Sequence, residues 1–165
     1  MSGIVGRAFG WTACALSVVL LVAALLLADD ARASELAVSG ATVRLPAVAG
    51  RPAAGYFTLR GGKASDTLTG VASPLATRIE MHSNSMAGGV MRMDALPAVA
   101  VAPGATVGFK PGGNHLMVFG LSKGLKFGAT VPLVLRFKSG ATLRTAALAV
   151  APGAAMDMPA GHGAH

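Results

Sequence analysis

Between Thr42 and Val150 the apolar residues recur at alternate positions in short runs, and Gly or Pro breaks the pattern about every ten residues. The clearest run sets Val131, Leu133, Leu135 and Phe137 against Pro132, Arg136 and Lys138, with Val134 out of phase. A two-residue period sends alternate side chains to opposite faces, so this run reads as a strand with one apolar face. The same reading predicts strands over Thr42–Pro46, Gly55–Arg60, Asp66–Val71, Ala76–His82, Val90–Asp94, Ala105–Lys110, His115–Leu121 and Thr142–Val150. Ala102-Pro103-Gly104 and Lys110-Pro111-Gly112-Gly113 have the composition of turns, and residues 83–89 that of a loop. No stretch keeps a 3.6-residue period with caps. The expectation is an all-β domain, either a sandwich or a small barrel.

Both ends depart from this pattern. Residues 1–33 carry Arg7, an apolar run from Ala13 to Ala28, and then Ala31-Arg32-Ala33. Those are the three parts of a cleavable secretory signal, with cleavage expected after Ala33. Retention as a membrane anchor is the alternative, but the run is shorter than the ~20 residues that span a bilayer and Asp29-Asp30 follows it at once. At the other end, residues 151–165 have little β-forming bulk and read as a flexible tail after a domain over 34–150. The expected location is the periplasm, with membrane contact only through the signal before cleavage.

Removing residues 1–33 leaves 132 residues, enough for one domain. Cys14, the single cysteine, lies near the start of the apolar run and leaves with it, whereas a lipoprotein signal puts its cysteine after such a run. The exported chain is therefore expected to lack thiol and disulfide, which excludes a disulfide scaffold, a thiol redox enzyme and a cysteine nucleophile. The net charge of +7 comes from scattered single basic residues, with Tyr56 the one tyrosine, so nucleic acid is not an expected partner.

The distribution of methionine and histidine changes the picture most. Residues 34–80 and 118–155 contain neither type. Met81, His82, Met86, Met91 and Met93 form one cluster, His115 and Met117 a second, and Met156, Met158, His162 and His165 a third. Methionines that merely fill core gaps would be spread among the strands. Neutral thioether sulfur is soft and suits Cu(I), and imidazole binds copper in either oxidation state. Zinc and calcium favour other donor sets. A blue-copper electron-transfer centre needs a cysteine thiolate. In a strand, His115 and Met117 share one face while Leu116 and Val118 face the core; Met91 with Met93, and Glu80 with His82, are similar pairs. Met81 and Met91 read equally well as packing residues. Met86 either does nothing or closes over the site.

The spacing from His82 through ten residues to Met93, then twenty-one residues to His115-Leu116-Met117, resembles the H-x10-M-x21-H-x-M signature of the PCu(A)C copper chaperones. Gly55-Tyr56-Phe57, Glu80-Met81-His82 and Lys110-Pro111-Gly112-Gly113-Asn114 resemble the family's flanking segments, so the likeness spans roughly residues 36–150. The resemblance implies a cupredoxin-like Greek-key β-sandwich, without enzymatic activity, that holds Cu(I) through His82, Met93, His115 and Met117. It further implies delivery to the copper domain of cytochrome oxidase subunit II or to another copper-assembly protein, and a second copper, as Cu(II), at Met156, Met158, His162 and His165. A monomer is expected. A copper-buffering or resistance protein with no dedicated acceptor is the rival reading, since the ligand set serves both.

Overall fold

The computed structural model describes residues 35–154; the predicted signal segment and the Met/His residues of the tail lie outside them. Alternation sets the strands. Over Thr130–Phe137 the residues Val131, Leu133, Leu135 and Phe137 are buried, as their period requires. The strands are β1 (Ala37–Arg44), β2 (Ala53–Arg60), β3 (Asp66–Ala72), β4 (Arg78–Ala87), β5 (Val90–Ala95), β6 (Val99–Val101), β7 (Thr106–Phe109), β8 (His115–Phe119), β9 (Thr130–Phe137) and β10 (Thr142–Val150).

Each predicted strand has its counterpart, with three differences. β1 begins earlier, at Ala37, because it pairs with β2 from Ala37 through Arg44 across a bulge. β6 is too short to show an alternation and forms only because Asp66–Leu68 of β3 offers it a partner. The expected loop over residues 83–89 is instead the end of β4 and a tight turn into β5. Ala87 pairs with Val90, leaving Gly88 and Gly89 as the two central residues at φ 59° and 77°. Such a two-residue hairpin needs positive φ at both positions, which glycine adopts without the Cβ clash.

The strands run in the order β5-β4-β8-β2-β1-β10-β9-β3-β6, with β7 also joined to β2. Among the described residues the named strands all pair antiparallel except β1 with β10. Most neighbours are not consecutive in sequence, as Greek-key connections produce. The sheet's apolar faces close over one core that includes Val43, Leu59, Leu68, Leu116, Val118 and Leu133, each fully buried. Phe57 of β2 and Phe109 of β7 stack within it, ring centroids 4.4 Å apart. Burying each such side chain stabilises the fold by about 1.5–3 kcal/mol. The result is an all-β sandwich, as expected from the pattern.

Candidate metal centre

The core decides which way the candidate ligands point. Leu116 and Val118 are fully buried and Met81 is nearly so, which fixes the inward face of β8 and β4. Alternation then sends His115 and Met117 of β8, and Glu80, His82 and Asn84 of β4, to the opposite face. The register brings them together: His82 stands opposite His115, and Glu80 opposite Met117. On the other side of β8, Met117 faces Ala54 of β2, which puts Tyr56 on the same face. Met93 of β5 enters this face opposite Asn84.

A cleft of about 280 Å³ opens there, lined by Tyr56, Asn84, Met93, His115 and Met117 with Pro111 and Gly112 of the preceding turn. His82 stands beside it, its ring centroid 6.0 Å from that of His115 at an interplanar angle of 35°. The four residues singled out by spacing thus share one face of three adjoining strands. Met81 does not belong with them: it is a core residue. Met86 is a strand residue opposite Met91, and both are solvent-exposed, so Met91, unlike Met81, is not a packing residue.

Each imidazole has one nitrogen already engaged. His115 Nδ1–H donates to the Gly113 carbonyl at 3.0 Å. His82 Nε2–H donates to Glu80 Oε2 at 3.1 Å. Carbonyl and carboxylate oxygens only accept, so the proton on each ring is placed and the other nitrogen keeps its lone pair. That leaves Nε2 of His115 and Nδ1 of His82. The latter is buried and has no hydrogen-bond partner, an uncompensated polar atom of the kind a ligand commonly satisfies. A second nitrogen held by a carboxylate or carbonyl is the usual support of a metal-binding histidine.

The cleft lining carries no charged side chain. Among the described residues no group of three or more His, Cys, Asp or Glu side chains is placed to hold a metal ion. The Glu80 carboxylate on the same face is engaged by His82 and Arg78, so two imidazoles and two thioethers are the donor set the cleft offers. Uncharged nitrogen and sulfur donors favour a soft ion of low charge, because a partly buried neutral shell compensates little of a larger charge.

Two features of the site escaped the sequence pattern. Asn84 Oδ1 is buried without a partner and its residue lines the cleft. Had β4 been extended through residues 83–87, the two-residue step from His82 would have placed Asn84 on the ligand face. The other is Arg44, opposite Ala54 on β1. Its guanidinium lies 5.5 Å from the Tyr56 ring centroid, and its Nη2 donates to the Ala154 carbonyl at 2.8 Å. The described chain accordingly ends at a residue tied to this same face. The candidate second site, at Met156, Met158, His162 and His165, lies outside the described residues.

The family described as LpqE-like, putative lipoprotein LpqE-like, matches residues 36–150. Among curated proteins, the putative lipoprotein Lxx21020 of Leifsonia xyli subsp. xyli is 29% identical over 82 residues, or 49% of either chain, so the match spans about half the length of that relative. Among solved structures, the copper-bound PCuAC domain from PmoF2 shares the fold, with a TM-score of 0.60 and 21% identity over 72% of this chain and 95% of that one. The solution structure of apo-DR1885 from Deinococcus radiodurans is 33% identical, covering 71% of this chain and 79% of that one with a TM-score of 0.54.

Proposed function

The chain belongs to the LpqE-like family, and on that footing we propose that it is an exported copper chaperone, carrying Cu(I) as cargo between His82, Met93, His115 and Met117. The observation that carries the reading is the pair of free imidazole lone pairs beside two thioethers at a cleft whose lining carries no charged side chain. The fold likeness to a copper-bound PCuAC domain and the matching spacing of the four residues support it. His82 and His115 supply nitrogen from rings that are already oriented, so little ordering is required when the ion arrives. Met93 and Met117 supply sulfur that does not titrate. Met93 is 54% exposed, so an acceptor can replace that ligand first without opening the core. The acceptor in this reading is the copper domain of oxidase subunit II or another copper-assembly protein.

Export follows from residues 1–33, and the family's description as lipoprotein-like fits an envelope location. The tail, leaving from Ala154 on the ligand face, holds a weaker copper through His162 and His165, with Met156 and Met158 joining once the ion is reduced. The decisive experiment is X-ray absorption of the anaerobic Cu(I) protein, followed by transfer to an apo subunit II copper domain. Mixed nitrogen and sulfur scattering with transfer is expected. A shell of nitrogen and oxygen alone would refute the ligand set. Tight binding without transfer would favour a buffering role.

A further inference from the structure

The four cleft ligands leave Met86 and Met91 unexplained. They stand directly opposite each other near the tip of the β4–β5 hairpin, and Met93 lies two residues from Met91 on the same face. Their exposures are 68%, 65% and 54%. Large apolar side chains are seldom left this open in a row: four of the seven exposed large hydrophobics among the described residues belong to this one hairpin, the fourth being Val90. β8 stops pairing with β4 at His82, and the Asn84 N–H makes a last bond to the Gly113 carbonyl, so from Ser85 to Arg92 the hairpin is a two-stranded ribbon beyond the cleft. Nothing in the core requires methionine at its tip.

We propose that Met86, Met91 and Met93 form a second, thioether-only site for a soft monovalent ion, which receives Cu(I) at the hairpin tip and passes it to the cleft through the shared ligand Met93. Direct cross-strand partners have Cβ atoms about 4.5–5.5 Å apart and diagonal ones about 7–8 Å, within reach of an unbranched side chain as long as methionine. Asp94 and Arg92 alternate with the methionines and so lie on the ribbon's other face, which leaves the three sulfurs an uncharged donor set. Hard and divalent ions gain little from such donors, whereas Cu(I) and Ag(I) do. The handover is ligand exchange alone. The Met86 and Met91 sulfur–copper bonds break as bonds to His82, His115 and Met117 form, Met93 keeps hold throughout, and neither electrons nor protons move. The choice of Cu(I) as the physiological ion rests on the proposed function; the site itself rests on the hairpin.

The test uses the full exported chain with 13C-labelled methionine methyl groups, titrated with Ag(I). Met93 and Met117 are expected to shift with the earliest additions, and Met86 and Met91 with later ones. Replacing both tip residues, Met86→Leu with Met91→Leu, keeps the apolar bulk and is expected to abolish the later event and to slow exchange of the cleft ion with a chelator. If Met86 and Met91 stay unmoved while Met93 and Met117 shift, the hairpin site is overturned and the cleft reading stands. If only Met86, Met91 and Met93 shift, the hairpin site stands and the cleft ligand set fails. Unchanged exchange in the double variant overturns the handover. Met156 and Met158 give separate resonances, so tail binding is not mistaken for either event.

Discussion

A histidine becomes a ligand when its second nitrogen is held, and here the two holders differ. Gly113 offers a backbone carbonyl that no side-chain substitution removes. Glu80 offers a carboxylate, shared between His82 and Arg78, whose Nε lies 3.0 Å from Oε1. Glu80→Ala therefore frees the His82 ring without touching the cleft. Loss of such a partner typically costs 10–100-fold in metal affinity. We expect about tenfold here, near the lower limit because Glu80 is partly solvated, measured by competition with a chromophoric Cu(I) chelator. His115→Ala removes a ligand outright and is expected to cost more. Met81→Leu is the contrasting case: a volume-conserving change in the core, expected to cost less than about 1.5 kcal/mol of stability and to leave copper affinity unchanged.

The strands that carry the proposed ligands are themselves positioned by close packing behind them. Gly55 of β2 pairs with Leu116, and a Cβ at position 55 would lie 3.0 Å from the Leu116 side chain. Leu116 sits between the two proposed ligands of β8 with its side chain in the core, so displacing it also moves His115 and Met117. Gly55→Ala is expected to cost about 1–3 kcal/mol in denaturant unfolding, as overpacking does, and to weaken copper binding without altering any ligand. A clasp at the far side of the sandwich offers a pH test. The Ser139 hydroxyl, above all, and the backbone N–H groups of Thr67 and Ser139 donate to Asp66 and hold its carboxyl below the usual value of 3.8. The depressed value means that the charged form stabilises the fold above that pH, and that this contribution is lost as pH falls through the folded value. Asp66→Asn is expected to lower Tm at neutral pH, with the gap from the unsubstituted protein closing as the solution is acidified below 3.8.

At the scale of the whole molecule, the body over 36–150 and the segments beyond it are expected to have separable roles. Cutting the chain after Ala154 keeps the hydrogen bond from Arg44 and leaves the cleft intact. The shortened protein is expected to keep its tight Cu(I) and to lose a weaker Cu(II), read by anaerobic Cu(I) titration and by electron paramagnetic resonance. A metal that must order the tail has to offset on the order of 1–2 kcal/mol per residue fixed, which is why the second affinity is expected to be lower. Unchanged stoichiometry would remove the tail from the account. The N-terminal segment has its own test. With cleavage after Ala33, Cys14→Ser leaves the exported product unchanged in mass, whereas an acylated cysteine would make export products differ.

The sequence by itself determined the all-β class and most of the strand pattern, and it gathered the soft side chains into clusters. A two-residue period and the chemistry of thioether and imidazole are local properties: Val131 to Phe137 show the first, and the clustering of Met and His shows the second. What it left open was set by pairing between distant segments. Met81, Met86 and Met91 were alike as residues. Only the sandwich buried the first, and only the run of β4 to Ala87 lifted the other two onto an exposed ribbon. β6 exists because β3 offers an edge, and Asn84 joins the cleft because its strand did not stop at His82. The alignment of His82 with His115 follows from the β4–β8 register, and the tie from Ala154 to the guanidinium over Tyr56 follows from Arg44 on a third strand. Side-chain chemistry is written residue by residue, but register and burial arise only when strands far apart in the chain share one core.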